Sequence, residues 1–440
     1  MEKGIKRLMC LCLSALLLAG CSVQTVDQMY RLPKRSKDYS NLQSVMDTAM
    51  TDLTFSAPVT GDHQQSVQMV DIDGDKEQEY LVFAKGNAEL PLRILVFDRV
   101  DGAFVHVDTV ESNGSAFDQV EYVQMDDHPG LEMVVGRQVS DQLVRSVTVY
   151  TFSGGVGTQL LSTNYRKYVT VDLDSDGYTE LFVLRSGQTE TDNGVAELYS
   201  MRDGMMERSN EATLSQPADS LKRILVGKLQ DKKTAVYVAS TVFDTSLITD
   251  VFTQIDDHLT NVSLSKTSGS SDRTLRNYYV YADDMDNDGV VELPQLRIMV
   301  PMEGENAAGR SDLICWYAME SNSQIHNKLY TYYDSVGSWY LQIDRDLAPK
   351  LTVQCTANTF DFYLWNSDYT NAEALFSIYL LTGQNREIQT RDAERFVLMT
   401  TDTVTYAASL SPAAANYGIT QQTLLRNFSL IHRDWNSGEM

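Results

Sequence analysis

The sequence predicts a mainly β protein: a β-propeller of four-stranded blades, with at least five repeats of about 50 residues, and a small C-terminal α+β or sandwich-like domain. Three observations predict it. The stretches VQMVDIDGDKEQEYLVFA from Val67, VTVDLDSDGYTELFVL from Val169 and VYADDMDNDGVVELPQL from Val280 share one pattern of strand, acidic turn and strand. Weaker copies, VQMDDHPGLEMVVG and VGKLQDKKTAVYVA, lie between them, so turns start at 71, 124, 172, 228 and 284. Apolar and polar residues alternate with period two throughout this region, and no long helical stripe interrupts it beyond a short helix near NLQSVMDTAM.

Each turn unit is followed by further alternating segments, such as LRILVFDRVDGAFVHVDTV, whose Asp101-Gly102 is a hairpin signal repeated at Asp203-Gly204. About four short strands per period result, the content of one propeller blade. A sandwich also uses short strands, but it does not explain an internal echo of this period.

The ends of the chain differ from this core. Lys3, Lys6 and Arg7 precede an apolar run from Leu8 to Ala19 that is too short for a comfortable membrane span, so residues 1–20 read as a secretory signal. Its end, Leu-Ala-Gly-Cys at positions 18 to 21, resembles the lipobox of bacterial lipoprotein precursors. That resemblance implies cleavage before Cys21, lipid on Cys21 and attachment to the extracytoplasmic face of a bacterial membrane. Residues 21–45 are expected as a tether, 46–345 as the propeller and 346–440 as the C-terminal domain.

Composition excludes some partners. With 36 basic and 60 acidic side chains and a formal net charge of −24, the chain is an unsuitable ligand for nucleic acid. Cys10 and Cys12 leave with the signal. Cys315 and Cys355 stand in apolar strand contexts that favour two buried thiols, although an oxidising compartment permits a bridge. The six histidines share no metal-ligand spacing and no Cys-x-x-Cys occurs, which leaves zinc and redox-thiol chemistry without a basis.

The repeated turns resemble the FG-GAP or VCBS class of repeat, in which Asp-x-Asp-x-Asp-Gly-x-x-Asp/Glu joins two strands of a blade in integrin-type propellers. The resemblance covers roughly residues 60–345 and implies calcium in the loops and a recognition or scaffold role. Calcium takes six to eight hard oxygens, which a tight loop supplies from alternate residues. The ligands so expected are Asp71, Asp73, Asp75, the Glu77 carbonyl and Glu79; Asp172, Asp174, Asp176, the Tyr178 carbonyl and Glu180; and Asp284, Asp286, Asp288, the Val290 carbonyl and Glu292. Two departures stand out: Lys76 replaces the glycine found at Gly177 and Gly289, and the units at Gln124 and Lys228 have lost most of their acids. An EF-hand is excluded, since its twelfth position is Val82, Val183 or Gln295 here.

Other motifs carry less. FSGGVGT at 152–158 lacks the Lys-Ser or Lys-Thr of a phosphate loop and reads as a turn. No Gly-x-Ser-x-Gly elbow and no His-Glu-x-x-His occurs. The acid pairs Asp126/Asp127, Asp256/Asp257 and Asp344/Asp346 are expected to be surface charges. Trp316, Trp339, Trp365 and Trp435, with YTYYDSVGSWY, suit either a ligand groove or buried strand positions. Beyond Pro349, KLTVQCTANTFDFYLW, ALFSIYLLTG and RFVLMTTDTVTYAASL read as strands. Leu424, Leu425, Phe428 and Ile431 form one helical face after a Thr420 cap.

The leading expectation is therefore a lipid-anchored, non-catalytic recognition or scaffold protein with a protein or glycan ligand on a propeller face. The alternatives are an extracytoplasmic polymer-degrading hydrolase or lyase with its site in the propeller channel, and a solute-binding lipoprotein.

Overall fold

The computed structural model describes residues 37–139, 144–189, 191–243, 245–299, 312–365, 372–391 and 394–431. Residues 1–20, expected as a signal, Cys21 and Trp435 lie outside these residues. Helix α1 (Lys37–Ala49) opens the described chain, and no described helix is long and apolar enough to cross a membrane.

The protein is mainly β, and its strands form six antiparallel sheets that follow one another along the chain. The first contains β1 (Thr54–Phe55), β2 (Val67–Val70), β3 (Glu79–Lys85), β4 (Leu92–Val100) and β5 (Ala103–Ser112). The second contains β6 (Ala116–Val123), β7 (Glu132–Gln138), β8 (Arg145–Ser153) and β9 (Val156–Tyr165). The third is β10 (Lys167–Val171), β11 (Glu180–Arg185), β12 (Val195–Arg202) and β13 (Met205–Thr213). The fourth is β14 (Leu221–Lys228), β15 (Thr234–Val242), β16 (Ser246–Ile255) and β17 (His258–Asn261). The fifth has β18 (Glu292–Ile298), β19 (Asp312–Met319), β20 (Ile325–Asp334) and β21 (Trp339–Ile343). The sixth has β22 (Leu351–Cys355), β23 (Thr359–Leu364), β24 (Glu373–Thr382), β25 (Phe396–Thr400) and β26 (Val404–Leu410). The last strand, β27 (Phe428–Leu430), leaves the C-terminal region and pairs with β21 at the edge of the fifth sheet.

Period-two alternation explains the packing, because each strand offers one apolar row to each neighbouring sheet. Phe83 and Ile94 of the first sheet meet Phe117 and Met133 of the second. Val134 and Val149 on the other face of the second sheet meet Leu181 and Tyr199 of the third. Phe182 and Leu198 of the third pack on Val236 and Phe252 of the fourth, and Tyr237 of the fourth packs on Leu293 and Tyr317 of the fifth. Tyr332 and Trp339 of the fifth join Phe360, Phe376 and Ile378 of the sixth. The remaining face of the first sheet, carrying Val82, Leu95 and Phe97, is covered by Leu42 of α1. Residues 37–45 of the expected tether are therefore a packed helix, since Leu42, Val45, Met46 and Ala49 recur on one side.

The C-terminal region departs from expectation at its end. Helix α2 (Arg386–Gln389) is a single turn, and α3 spans only Gln421–Asn427. Thr420 does cap α3: its Oγ1 accepts from Thr423 N–H at 3.1 Å, and Thr423 Oγ1 accepts from Thr420 N–H at 2.8 Å. Phe428 ends the helix by entering β27, where pairing with Leu341 buries it against Trp339. Leu425 is correspondingly exposed. Cys315 and Cys355 form no disulfide; Cys315 is buried and Tyr332 Oη lies 3.4 Å from Cys355 Sγ.

Candidate metal centres on an acidic rim

The three acidic loops share one backbone form. Their fourth positions, Gly74, Ser175 and Asn287, have φ of 80, 65 and 58°, and their sixth, Lys76, Gly177 and Gly289, have φ of 76, 95 and 80°. Two left-handed residues in three fold the loop tightly enough for alternate carboxylates to converge. Lys76 adopts this conformation despite its side chain. The loops at Asp71 and Asp172 run between adjacent strands of one sheet, whereas the strand before Asp284 is reduced to the single bridge Asp283 to Glu292.

In each loop the first, third and ninth positions come together. Ligand atoms of Asp71, Asp73 and Glu79 lie within 4.8 Å of one another, as do those of Asp172, Asp174 and Glu180 and those of Asp284, Asp286 and Glu292. The fifth positions turn one oxygen elsewhere: Asp75, Asp176 and Asp288 accept from the N–H of Glu77, Tyr178 and Val290 at 2.7, 2.8 and 2.8 Å. Those bonds fix the peptide that enters the seventh residue, the one before the carbonyl expected as a ligand.

The ninth-position glutamate is buried and half-satisfied. Oε2 of Glu79, Glu180 and Glu292 each accepts at 2.8 to 2.9 Å from the N–H of the second loop residue, Ile72, Leu173 or Met285. Oε1 of Glu79 and of Glu292, and Oδ1 of Asp172, are buried without a hydrogen-bond donor. Burial, aided by repulsion from the neighbouring aspartates, pushes Glu79 up to about 7 and Glu180 and Glu292 up to about 8, against the opposing main-chain bond. Asp174 is also raised, by burial first and then by Asp176, Asp172 and Asp257. Such a set of crowded hard oxygens with orphaned lone pairs suits a hard divalent cation.

The two weakened units replace charge with neutral or basic groups. In the unit at Gln124, the side-chain amide donates to the Asp126 and His128 carbonyls at 2.7 and 2.5 Å, and His128 Nδ1 lies 3.0 Å from Asp126 Oδ1. Glu132 keeps the ninth position and still accepts from Met125 N–H at 2.9 Å. The unit at Lys228 is three residues shorter between its strands, running from Lys228 at the end of β14 to Thr234 at the start of β15.

Main-chain bonds join three pairs of neighbouring loops. Leu131 N–H donates to Ile72 O, Thr179 N–H to Gln124 O and Val291 N–H to Lys228 O. Their surroundings differ, however, and sequence reasoning missed this. The first loop is sealed: Gly155 N–H donates to Asp73 Oδ2 at 3.0 Å, and a Cβ on Gly74 would stand 2.4 Å from the Pro129 carbonyl carbon. The third is closed by Lys328, whose Nζ lies 2.5 Å from Asp288 Oδ2. The second opens into a cavity of about 590 Å³ lined by Asp126, Asp174, Asp176, Glu180, Asp203 and Asp257, among others. The acid pairs Asp126/Asp127 and Asp256/Asp257 thus each contribute to one concave surface, while Asp344 instead accepts from Asp346 N–H at 2.9 Å in a turn. Gly154 and Gly155, both with positive φ, form the β8–β9 hairpin turn rather than a phosphate loop. Trp316 and Trp339 are fully buried and line no groove.

No family model matches the chain, and no curated protein matches it. Among solved structures, the exotype rhamnogalacturonan lyase YesX aligns at 11% identity and a TM-score of 0.30 over 65% of this chain and 65% of its own. A protein from Lactobacillus plantarum aligns at 8% identity and a TM-score of 0.24 over 73% of this chain and 94% of its own. The chain thus spans about two-thirds of the lyase, and at these scores neither likeness bears on activity.

Proposed function

We propose that this protein is a lipid-anchored recognition or scaffold protein on the extracytoplasmic face of a bacterial membrane, built from FG-GAP-like propeller blades with structural calcium in its acidic loops. The observation that carries the reading is the repeated buried glutamate, Glu79, Glu180 and Glu292, held by one main-chain N–H and with a carboxylate oxygen within 4.8 Å of two aspartates. Calcium bound there would fasten the strands on either side of each loop and stabilise the fold by mass action, about 2.7 kcal/mol per site at a hundredfold excess over Kd. The anchor rests on Leu-Ala-Gly-Cys at 18–21. In this reading α1 covers the outer face of the first blade, and recognition falls to the faces and rims of the array.

Two measurements test it. Calcium should raise the thermal midpoint of the purified protein and EGTA should reverse the rise. Cys21→Ser should release the protein from the membrane fraction. A midpoint indifferent to calcium removes the metal from the proposal, and an unchanged membrane fraction removes the lipid.

One observation favours the enzymatic alternative: the cavity gathers carboxylates from the second, third and fourth sheets, and Glu180 there is raised to about 8, in the range of a general acid. Release of reducing ends or unsaturated products from a panel of polysaccharides, lost in Glu180→Gln, would establish it. A solute-binding role has less support, since every sheet is antiparallel and no βα alternation is present among the described residues.

A further inference from the structure

In four sheets one strand carries one extra residue at a matching place. Pairing skips Val107 between β4 and β5, Leu160 between β8 and β9, Ser209 between β12 and β13, and Lys328 between β19 and β20. Such a bulge re-aims its side chain. In the fifth sheet the bulged residue reaches the acidic loop, and Lys328 Nζ sits 2.5 Å from Asp288 Oδ2 and 3.8 Å from Asp286 Oδ2. In the third sheet the bulged residue is Ser209, too short to do the same, and it lines the acidic cavity together with Asp174 and Asp176, the counterparts of Asp286 and Asp288. Glu180 is only 4% exposed and lines the same cavity; its Oε2 is held by Leu173 N–H, and its Oε1 accepts no hydrogen bond among the described residues.

We propose that this cavity binds a primary-ammonium ligand of the polyamine class, with one ammonium taking on Asp174 and Asp176 the place that Lys328 takes on Asp286 and Asp288. An ammonium carries three donors and no acceptor, which matches a wall of carboxylates. Asp126, Asp127, Asp203 and Asp257 supply partners for further ammonium groups, against only Arg202 and His128 of basic character. The volume, about 590 Å³, is ample for a flexible chain bearing two or three amines. A divalent cation in the second loop would claim the same two aspartates, so the two ligands compete.

Calorimetric titration of spermidine into calcium-free protein tests this. The result expected is one saturable site, weakened at least tenfold in Ser209→Lys, which supplies the ammonium internally, and joined by a second site in Lys328→Ser, which empties the third loop. Added calcium should weaken spermidine competitively. Absence of saturable binding overturns the proposal, as does binding equal in wild type and Ser209→Lys that collapses at about 150 mM salt, the signature of a diffuse counterion. If Ser209→Lys fails to fold, the double change Asp203→Asn with Asp257→Asn must weaken spermidine instead. A lysine-containing peptide that binds where spermidine does not would assign the ammonium to a protein partner and overturn the polyamine class. Spermidine binding without any calcium binding leaves this inference standing and sinks the calcium reading; calcium binding without spermidine does the reverse.

Discussion

Lys328 Nζ lies 2.5 Å from Asp288 Oδ2, so the acidic loop of the fifth sheet is closed by an ammonium from β20. The pairing holds Asp288 below the usual carboxylate range, with the Lys328 bond outweighing the opposing burial, and raises Lys328 in turn. Lys328→Ala should therefore act in two directions. Without divalent cations it should destabilise the protein by about 1 kcal/mol, the scale of a partly exposed ion pair. With calcium present it should increase affinity at the third loop. Chemical denaturation in EGTA, followed by calcium titration, measures both.

Glu197 is 2% exposed at the centre of an ion-pair cluster, with Arg185 Nη2 at 2.7 Å, Arg208 Nη1 at 2.9 Å and Tyr199 Oη at 2.9 Å. Burial raises its pKa, but the bonds from Arg185, Arg208 and Tyr199 together outweigh burial and leave it below the ordinary value. A depressed carboxylate stabilises the folded state fully above its unfolded pKa, near 4.3, and loses that contribution as pH falls through the lower folded value. Glu197→Gln should cost about 2 kcal/mol at neutral pH and reduce the loss of stability below about pH 4. Urea unfolding from pH 7 to 3 reads this out, and parallel pH profiles for the two proteins would refute it.

Gly74 and Gly177 separate conformational strain from close approach. Both have positive φ, but a Cβ at Gly177 meets nothing within 4 Å, whereas at Gly74 it would strike the Pro129 main chain at 2.4 Å. Gly177→Ala should cost about 1 kcal/mol through strain alone. Gly74→Ala should cost about 2 to 4 kcal/mol, because the second sheet's loop must also move. Denaturation midpoints at equal m-value make the comparison.

Leu42 tests the helix that covers the first sheet. It is 6% exposed and packs on Val82, Leu95, Phe97 and Phe104. Leu42→Ala should destabilise by about 2 to 4 kcal/mol, the range for a buried leucine. A change below about 0.5 kcal/mol, the scale of an inert surface position, would show that α1 contributes no stability.

The sequence was most legible where one signal is local and repeated. Alternation gave the strands, Asp101-Gly102 and Asp203-Gly204 gave the hairpin turns with φ of 51 and 79° and of 49 and 75°, and the acidic spacing located loops that converge as 1, 3 and 9. Thr420 was readable as a cap because capping is set within four residues. What failed depends on distant partners. Phe428 fits a helical stripe, yet β21 offers it strand pairing and the stacked Trp339 ring, so tertiary packing overrides the local pattern. The different fates of the three loops were likewise invisible, since Gly155 lies 82 residues from Asp73 and Lys328 lies 40 from Asp288. The cavity beside the second loop combines residues from three sheets, and no linear spacing announces it.

The measurement that bears most directly on the central claim is calorimetric calcium titration of the protein and of Glu79→Gln, Glu180→Gln and Glu292→Gln. Each substitution removes a ligand oxygen's charge while keeping the side chain's size. The account predicts saturable calcium binding, with each variant losing or weakening one site and the Lys328-closed third loop contributing the weakest. Absence of calcium binding, or binding unaffected by all three changes, would contradict it.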